Sequence, residues 1–228
     1  MTEKKYSGTS EEVIIEKAKD FWARYNKPVM IVSVAIILLV GGYYGYKEFI
    51  VKPKENKAVE DMFKAEDYYR MDSCNLALNG DGQYSGFLKI IDKYGGTKSA
   101  NMARFYAGVC YLKMGDNVNA IKHLKKFSSR SEQVQARAYK LLGDAYADSE
   151  KYSDALNYYK KAAHHFEEDK AASSEALFLA AYLADKVMKD QKQAIDLYKE
   201  LLEKFPGTAR VNDAEKYLAQ LGVYNTEE

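Results

Sequence analysis

The pattern of apolar and polar positions divides the chain into parts of different character. Residues 1–28 are mostly polar, and their second half carries apolar residues at helical spacing, which predicts a polar leader with an amphipathic helix. Residues 29–46 contain no charge. In residues 57–228 apolar positions recur every three or four residues without strand-like alternation, so an all-α domain is predicted there. The segment 47–56, which contains Pro53, is expected to link the two.

The uncharged segment 29–46 is long enough to cross a membrane. Its length as a helix would be about 27 Å, close to the roughly 30 Å hydrocarbon core of a bilayer. A cleaved signal peptide is the alternative interpretation of such a segment. The long polar leader before it argues against that interpretation, as do the tyrosines that follow where small residues would mark a cleavage site. We therefore predict an uncleaved transmembrane helix.

The distribution of charge argues against a nucleic-acid partner, but it does not indicate which way the anchor crosses the membrane. The chain has 34 basic and 33 acidic residues, and from residue 52 onward there are 27 of each. Because a nucleic-acid binder would normally show a basic excess, no nucleic-acid partner is predicted. The positive-inside rule also gives no answer, because four basic residues flank each side of the span. They are Lys17, Lys19, Arg24 and Lys27 on one side and Lys47, Lys52, Lys54 and Lys57 on the other.

A motif of about 35 residues is repeated in the second half of the chain. Gly108 and Gly143 occupy matching positions, and an alanine follows each of them twelve residues later, at Ala120 and Ala155. Small residues at both places predict two antiparallel helices that cross closely, with the glycine and the alanine facing each other. Each unit is therefore expected to be a tightly packed helical hairpin.

These spacings are typical of tetratricopeptide repeats (TPRs), which are helix–turn–helix units of about 34 residues. A third unit aligns on Ala181 and Ala194 with one extra residue, which we place in the turn 187–191. The predicted domain is a TPR-type α-solenoid with a degenerate helix pair before the clear repeats and a capping helix after them. The clear repeats are expected at about 101–134, 136–169 and 173–206.

The first helix of each repeat is expected to line the concave side of the stack, where a partner would bind. This predicted binding face consists of an apolar patch in the first clear repeat and a charged patch in the second, a combination that suits an extended or helical peptide. Its residues are Met102, Phe105, Val109 and Leu112, followed by Arg137, Lys140, Asp144 and Asp148. Alternatively, helix 58–72 covers the apolar patch and makes it part of the core. The face does not resemble the carboxylate-clamp TPRs that hold chaperone C-termini, which need Lys and Asn where this chain has Phe105 and Val109.

Residues able to carry chemistry are scarce. His164 and Glu168 are spaced to share one helix face, but no third metal ligand lies nearby in the sequence. The segment 79–82 contains two glycines but lacks the spacing and the lysine of a phosphate-binding loop. No nucleophile is paired with a base. We therefore predict a protein that is not an enzyme and that takes no cofactor or metal.

Two further features concern contacts that the sequence leaves open. Cys74 and Cys110 fit neither a disulfide-rich scaffold nor a zinc site, and we expect small buried thiols. A disulfide bridge between them is the alternative if the domain lies in an oxidising compartment. Gly41 and Gly45 form a G-x-x-x-G motif, which would allow the membrane helix to approach a second helix closely.

A leader ending in Phe21-Trp22, one span and a short TPR domain follow one another over residues 10–222. This order resembles the YfgM-type family, the ancillary subunit of the bacterial SecYEG translocon, and the stretch 78–97 is similar to the Bacteroidetes version. The resemblance implies a single-pass inner-membrane protein with its repeats in the periplasm. It also implies Sec translocon subunits, a PpiD-type membrane folding factor and exported clients as partners, in a chaperone-like role. A scaffold for another envelope complex and a cytosol-facing adaptor are the alternatives.

Overall fold

Helices account for nearly all of residues 10–224, the part of the chain that this computed structural model describes. The predicted residues 1–9 of the leader and 225–228 of the repeat domain lie outside this range. The chain divides into two compact units, Met1–Lys54 and Glu55–Glu228. The helices are α1 (Ser10–Tyr46), α2 (Lys52–Arg70), α3 (Cys74–Asn79), α4 (Phe87–Lys93), α5 (Lys98–Lys113), α6 (Asn117–Leu124), α7 (Glu132–Asp148), α8 (Tyr152–His165), α9 (Lys170–Tyr182), α10 (Gln191–Lys204) and α11 (Val211–Gln220). The all-α prediction is confirmed.

The first unit contains α1, which joins the predicted leader helix and the predicted span in one element. Its most apolar window has no buried residue, and the helix is long and apolar enough to cross a membrane. Pro28, expected near a helix start, lies inside α1. A helix can continue through a proline because the ring fixes φ near the helical value and removes a single N–H donor.

The segment 47–56, expected to be a linker, is helical. Lys47–Val51 form a π-helical turn, and α2 begins directly after it at Lys52. Pro53 is therefore the second residue of α2, and because a helical turn precedes it directly, its missing N–H removes one helical hydrogen bond. The boundary between the two compact units, after Lys54, falls within this helical segment.

The repeat domain is built from helix pairs, as the spacing predicted. Helices α5 and α6, α7 and α8, and α9 and α10 form the three clear repeats, and α11 packs against α10 as the cap. The degenerate first pair consists of α2 and a second helix broken into α3 and α4. Alanines fill the contacts between helices: Ala58, Ala65, Ala103, Ala107, Ala120, Ala155 and Ala194 are all completely buried.

Gly108 and Gly143 do permit a close helix crossing, but their partners differ from the prediction. A methyl group at Gly108 would lie 2.4 Å from Leu124, and one at Gly143 would lie 2.4 Å from the Tyr159 ring. Each partner stands four residues after the alanine expected to face the glycine. A large side chain therefore fills the space that the glycine leaves, because close packing favours pairing small residues with large ones.

The extra residue of the third repeat lies in a helix, where the sequence had suggested a turn. Leu183–Met188 continue α9 as a π-helical segment. The following turn is short, because α10 is capped by Asp190. Since a π-helical turn closes i→i+5 hydrogen bonds, it takes up an added residue without interrupting the helix.

The turn between the two helices of each pair repeats one backbone conformation. Asp72, Gly115, Glu150 and Lys189 all have positive φ, between 57° and 75°, and each stands two residues before the first residue of the second helix. Only one of the four is a glycine, the residue that adopts this conformation without strain. The shared conformation shows that the irregular first pair is built on the same plan as the regular repeats.

Glu55 fixes the start of α5 to the first helix pair. Its carboxylate accepts hydrogen bonds from the backbone N–H groups of Lys98 (2.7 Å) and Ser99 (2.9 Å) and from the Ser99 hydroxyl (2.6 Å). Burial raises the pKa of Glu55, but these hydrogen bonds outweigh burial and the pKa is lowered. A carboxylate is stabilising here because unpaired N–H groups and the positive end of the helix dipole meet at a helix N-terminus.

Candidate protein-binding face

The predicted binding face is carried by α5 and α7, the first helices of two successive repeats. Helix α5 begins after Thr97, whose hydroxyl accepts a hydrogen bond from the N–H of Ala100 at 3.1 Å. Helix α7 packs against α8 along most of its length. These two helices carry the residues of the face, but its apolar and charged patches differ in how far they are buried.

Phe105 and Val109 of the apolar patch are buried, with only 5% and 7% of their surface exposed. The Phe105 ring packs against Phe127 at a centroid distance of 5.1 Å, and the Arg137 guanidinium lies over it at 6.0 Å. The prediction that these two residues line an open groove is therefore wrong. Two residues that follow in sequence, Phe127 after α6 and Arg137 in α7, pack on the Phe105 ring.

The remaining residues of the apolar patch are partly buried. Met102 and Leu112 pack against the core cluster that contains Phe105 and Val109, and so does Tyr69 from α2. The proposed cover by helix 58–72 is thus realised only in part, through the last turn of α2. Phe127 and Arg137 supply the cover over Phe105.

The charged patch on α7 stays accessible. Arg137 and Asp148 are exposed, while Lys140 and Asp144 are half-buried. Lys140 donates to Asp144 at 2.9 Å, and the Tyr159 hydroxyl donates to the other oxygen of the same carboxylate at 3.0 Å. Burial, and second the Asp144 carboxylate, raise the pKa of Tyr159. The patch therefore offers the exposed Arg137, whose guanidinium also lies over Phe105, and a carboxylate already held in place.

Equivalent positions in the third repeat belong to the same face, and the sequence analysis missed them. Aligning Ala181 with Gly143 places Glu175, Phe178 and Tyr182 where the second repeat has Arg137, Lys140 and Asp144. Tyr182 is 39% exposed, whereas Phe178 is buried. The extra residue in this repeat obscured an alignment that the sequence already contained.

The capping helix engages this part of the third repeat. Arg210, just before α11, donates to both carboxylate oxygens of Glu175, one of them at 3.0 Å, and to Asp213 at 2.8 Å. Its guanidinium lies 4.6 Å from the centroid of the Phe178 ring. A bidentate arginine pair fixes geometry well, so the cap closes this end of the stack and leaves Tyr182 at its edge.

The two glycines predicted to contact a membrane partner lie in α1, and His164, considered above as a metal ligand, belongs to an ion-pair network. Apart from the adjacent backbone of α1 itself, no atom of residues 10–224 lies within 4 Å of the position that a Cβ would take at Gly41 or Gly45, so both sites are open. His164 contacts Glu167 at 3.1 Å and Glu200 at 3.6 Å, in a network with Lys204, and the predicted partner Glu168 is not part of it. Within residues 10–224 the structure shows no group of three or more potential metal ligands.

Comparison with known proteins agrees with the repeat architecture. The family described as "Tetratricopeptide repeat-like domain" matches residues 19–164, and the family described as "Tetratricopeptide repeat" matches residues 175–208. The first match begins before the apolar segment, so it covers that segment and two of the clear repeats in one stretch. No curated protein matches the chain significantly.

Proposed function

The chain belongs to the tetratricopeptide repeat-like domain family, and we propose that it is a membrane-anchored adaptor that binds proteins at the Sec translocon. The observation that supports this most directly is the single family match over residues 19–164. It joins an apolar helix of membrane-spanning length to a stack of repeats. Repeat solenoids present extended surfaces suited to binding other proteins. An anchored solenoid would hold such a surface close to a membrane complex.

The proposed anchor is the part of α1 over residues 29–46. Its large apolar side chains are exposed, as expected of a helix that contacts lipid rather than a protein core. Gly41 and Gly45 stand one helical turn apart with open space beside each. Small residues at this spacing allow close contact between membrane helices. We therefore assign this side of the anchor to contact with a membrane partner.

The proposed contact surface of the repeats is the charged patch on α7, extended by Tyr182 of the third repeat. Arg137 is exposed, and Lys140 and Asp144 form a pair whose carboxylate is also held by Tyr159. Exposed charges of both signs beside an exposed aromatic ring suit a polar, mixed-charge peptide segment. Phe105 and Val109 support this surface from below and do not contact the partner.

The identity of the partner rests on the resemblance carried by the leader, the span and the stretch 78–97. This resemblance favours Sec translocon subunits, a PpiD-type folding factor and exported clients as partners. It also favours a bacterial inner-membrane location with the repeats in the periplasm. The role would be that of an ancillary, chaperone-like subunit, because the charged patch provides a binding surface and no catalytic constellation was predicted.

Affinity purification from membranes solubilised in mild detergent tests the proposal. We expect Sec channel subunits to be recovered with the wild-type protein. The double variant Arg137→Glu/Lys140→Glu should recover at least about tenfold less partner, because reversed charges repel a matched surface. Lys122→Glu/Lys125→Glu is the matched control, since it makes the same charge change at exposed positions of α6 and the residue after it.

Three outcomes would contradict the proposal. Recovery of a different envelope complex without Sec subunits would indicate a scaffold elsewhere. A topology reporter fused after Glu228 that is active only in the cytoplasm would rule out periplasmic repeats. Equal losses in both double variants would mean that the α7 patch is not the contact surface.

A further inference from the structure

Two cysteines from different helix pairs meet in the core of the repeat domain. Cys74 begins α3 in the first pair, and Cys110 lies in α5 of the next repeat. Cys110 has no exposed surface and Cys74 is 8% exposed. Both thiols are unbridged, belong to the same buried cluster and are close enough to influence each other electrostatically. Residues 36 positions apart in sequence are thereby brought together by the packing of α3 on α5.

The surroundings of the pair combine a packed core with one exposed ion pair. The same cluster contains Ala77, Leu78, Ala107 and other apolar side chains. The charges of Lys113 and Asp72, which are paired with each other, also act on Cys110. No third metal ligand accompanies the two thiols within the described residues. A disulfide needs a Cβ separation of about 3.5–4.5 Å, which the packing of α3 on α5 sets, because side-chain rotation does not move a Cβ atom. The packing therefore keeps two thiols close together in the core.

We propose that Cys74 and Cys110 are joined by a disulfide in the protein as it exists in the cell envelope, and that the bond ties the first helix pair to α5. This inference rests on the proposed periplasmic placement, since disulfides persist in oxidising compartments. The oxidant is a disulfide of the glutathione or protein type. The S–H bonds of both thiols break, an S–S bond forms, two electrons reduce the oxidant, and its two sulfurs leave as thiols that take up the two protons.

The burial of the pair sets the rate at which it reacts. The thiolate is the attacking species in thiol–disulfide exchange. Burial, and then the interaction of the Cys110 S–H with Cys74, raise the pKa of Cys110. The folded dithiol should therefore oxidise slowly near neutral pH, and faster at higher pH or while the domain is folding. We expect the bond to form before the core closes.

Intact-mass measurement on full-length protein in detergent is the first test. The protein is reduced, unfolded in denaturant and refolded with glutathione disulfide, and remaining thiols are then alkylated under denaturing conditions. We expect wild type to lose two hydrogen atoms, to take no alkyl group and to yield one cross-linked peptide containing both cysteines. Cys74→Ala and Cys110→Ala, two variants close in volume, should each keep one thiol or gain one glutathione. Free thiols or glutathione adducts alone in wild type overturn the proposal.

Stability provides a second readout that does not depend on labelling. Oxidation of wild type should raise Tm by roughly 5–10 °C, because the bond closes a long loop in the unfolded chain. The two single-cysteine variants should show no such rise. An unchanged or lowered Tm in oxidised wild type overturns the structural role of the bond.

Acid-quenched cells then separate this proposal from the proposed function. Both cysteines should be protected from alkylation in such cells without prior reduction. If the purified protein forms the bond but the cells contain free thiols, the periplasmic placement is wrong and this inference falls with it. If purified protein cannot form the bond, this inference fails alone and the adaptor function is unaffected.

Discussion

The first two clear repeats place different chemistry at equivalent positions. Where α5 has Phe105 and Val109, α7 has Lys140 and Asp144. Both α5 residues are buried, and Phe127 and Arg137 pack on the Phe105 ring, whereas the α7 residues form a half-buried ion pair at the surface. Position within a repeat therefore fixes which way a side chain points. The residues that lie over it decide whether it becomes core or a contact surface.

A second difference lies where the two helices of each repeat cross. Gly108 faces Leu124, an aliphatic side chain, while Gly143 faces the ring of Tyr159. The hydroxyl of that ring donates a hydrogen bond to Asp144 and so connects the helix crossing to the charged patch. The second repeat thus couples its internal packing to its exposed face, and the first does not. Five sets of substitutions test this comparison.

The largest effect is expected from Ala155→Trp in the second repeat. Ala155 is completely buried between helices, so an indole ring cannot be accommodated and the loss should exceed about 4 kcal/mol. Circular dichroism and thermal melting should show a domain that is largely unfolded at 25 °C. The exposed neighbour Asn157→Trp is the control and should melt like wild type. A folded Ala155→Trp domain would mean that the helix register is wrong.

Phe105→Ala and Lys140→Ala compare the same position in the two repeats. Removing the buried ring should cost roughly 3–5 kcal/mol, because it leaves a cavity beneath Phe127. Removing the half-exposed lysine should cost less than about 1 kcal/mol. Urea denaturation of both variants measures the difference. Similar costs would show that Phe105 is not a core residue.

Gly143→Ala should destabilise the second repeat by roughly 1–3 kcal/mol through overpacking. The added methyl would meet the Tyr159 ring, which is held by its bond to Asp144. Gly108→Ala should cost less, because Leu124 can rotate away more easily. Gly95→Ala serves as a control, since its nearest contact would be an ordinary 3.5 Å. Denaturant midpoints in the reverse order would show that ring rigidity does not matter.

Tyr159→Phe removes the hydrogen bond between the ring at the helix crossing and Asp144 of the charged patch. This should lower the free energy of unfolding by about 1 kcal/mol. The variant should also change the dependence of stability on pH. Because the pKa of Tyr159 is raised in the folded protein, its contribution is complete below the ordinary tyrosine pKa of about 10 and is lost as pH rises further. Urea midpoints measured from pH 8 to 11 should therefore fall less in the variant than in wild type. Parallel curves would contradict the burial of this hydroxyl.

The smallest effect is expected in the turn of the second repeat. Glu150 has a φ of 58°, where the first repeat has Gly115. Glu150→Gly should raise stability by up to about 1 kcal/mol by relieving backbone strain. Glu150→Ala keeps a Cβ and should give no gain. A gain in the alanine variant would assign the effect to the lost charge.

Much of the fold could be predicted because it depends on local spacing. The periodicity from Ala58 onward, the Gly and Ala positions of the repeats and the uncharged run at 29–46 each report on a few neighbouring turns of helix. The broken helix of the first pair was harder to foresee. There Asp81 organises a loop by accepting hydrogen bonds from Gln83, Tyr84 and Tyr68, a set that spans 16 residues.

The candidate site was predicted less completely than the fold. The sequence analysis placed Phe105, Val109, Arg137 and Lys140 on one accessible face. In the structure Arg137 is exposed and Lys140 is half-buried, whereas Phe105 and Val109 are buried, and Phe127 and Arg137 pack on the Phe105 ring. Tyr182 was overlooked, although aligning Ala181 with Gly143 places it where the second repeat has Asp144. The burial of Phe105 depends on side chains from a loop and from the next helix, which the spacing within one helix does not reveal.

By itself, the sequence determined the helical class, the register of the repeats and the apolar helix ahead of them. These properties follow from spacing that a single helix pair must satisfy. Only the tertiary structure decided that Phe105 is core, that Gly143 faces Tyr159 and that Cys74 meets Cys110. Such contacts join side chains from different helices, and their distances follow from how those helices pack against one another.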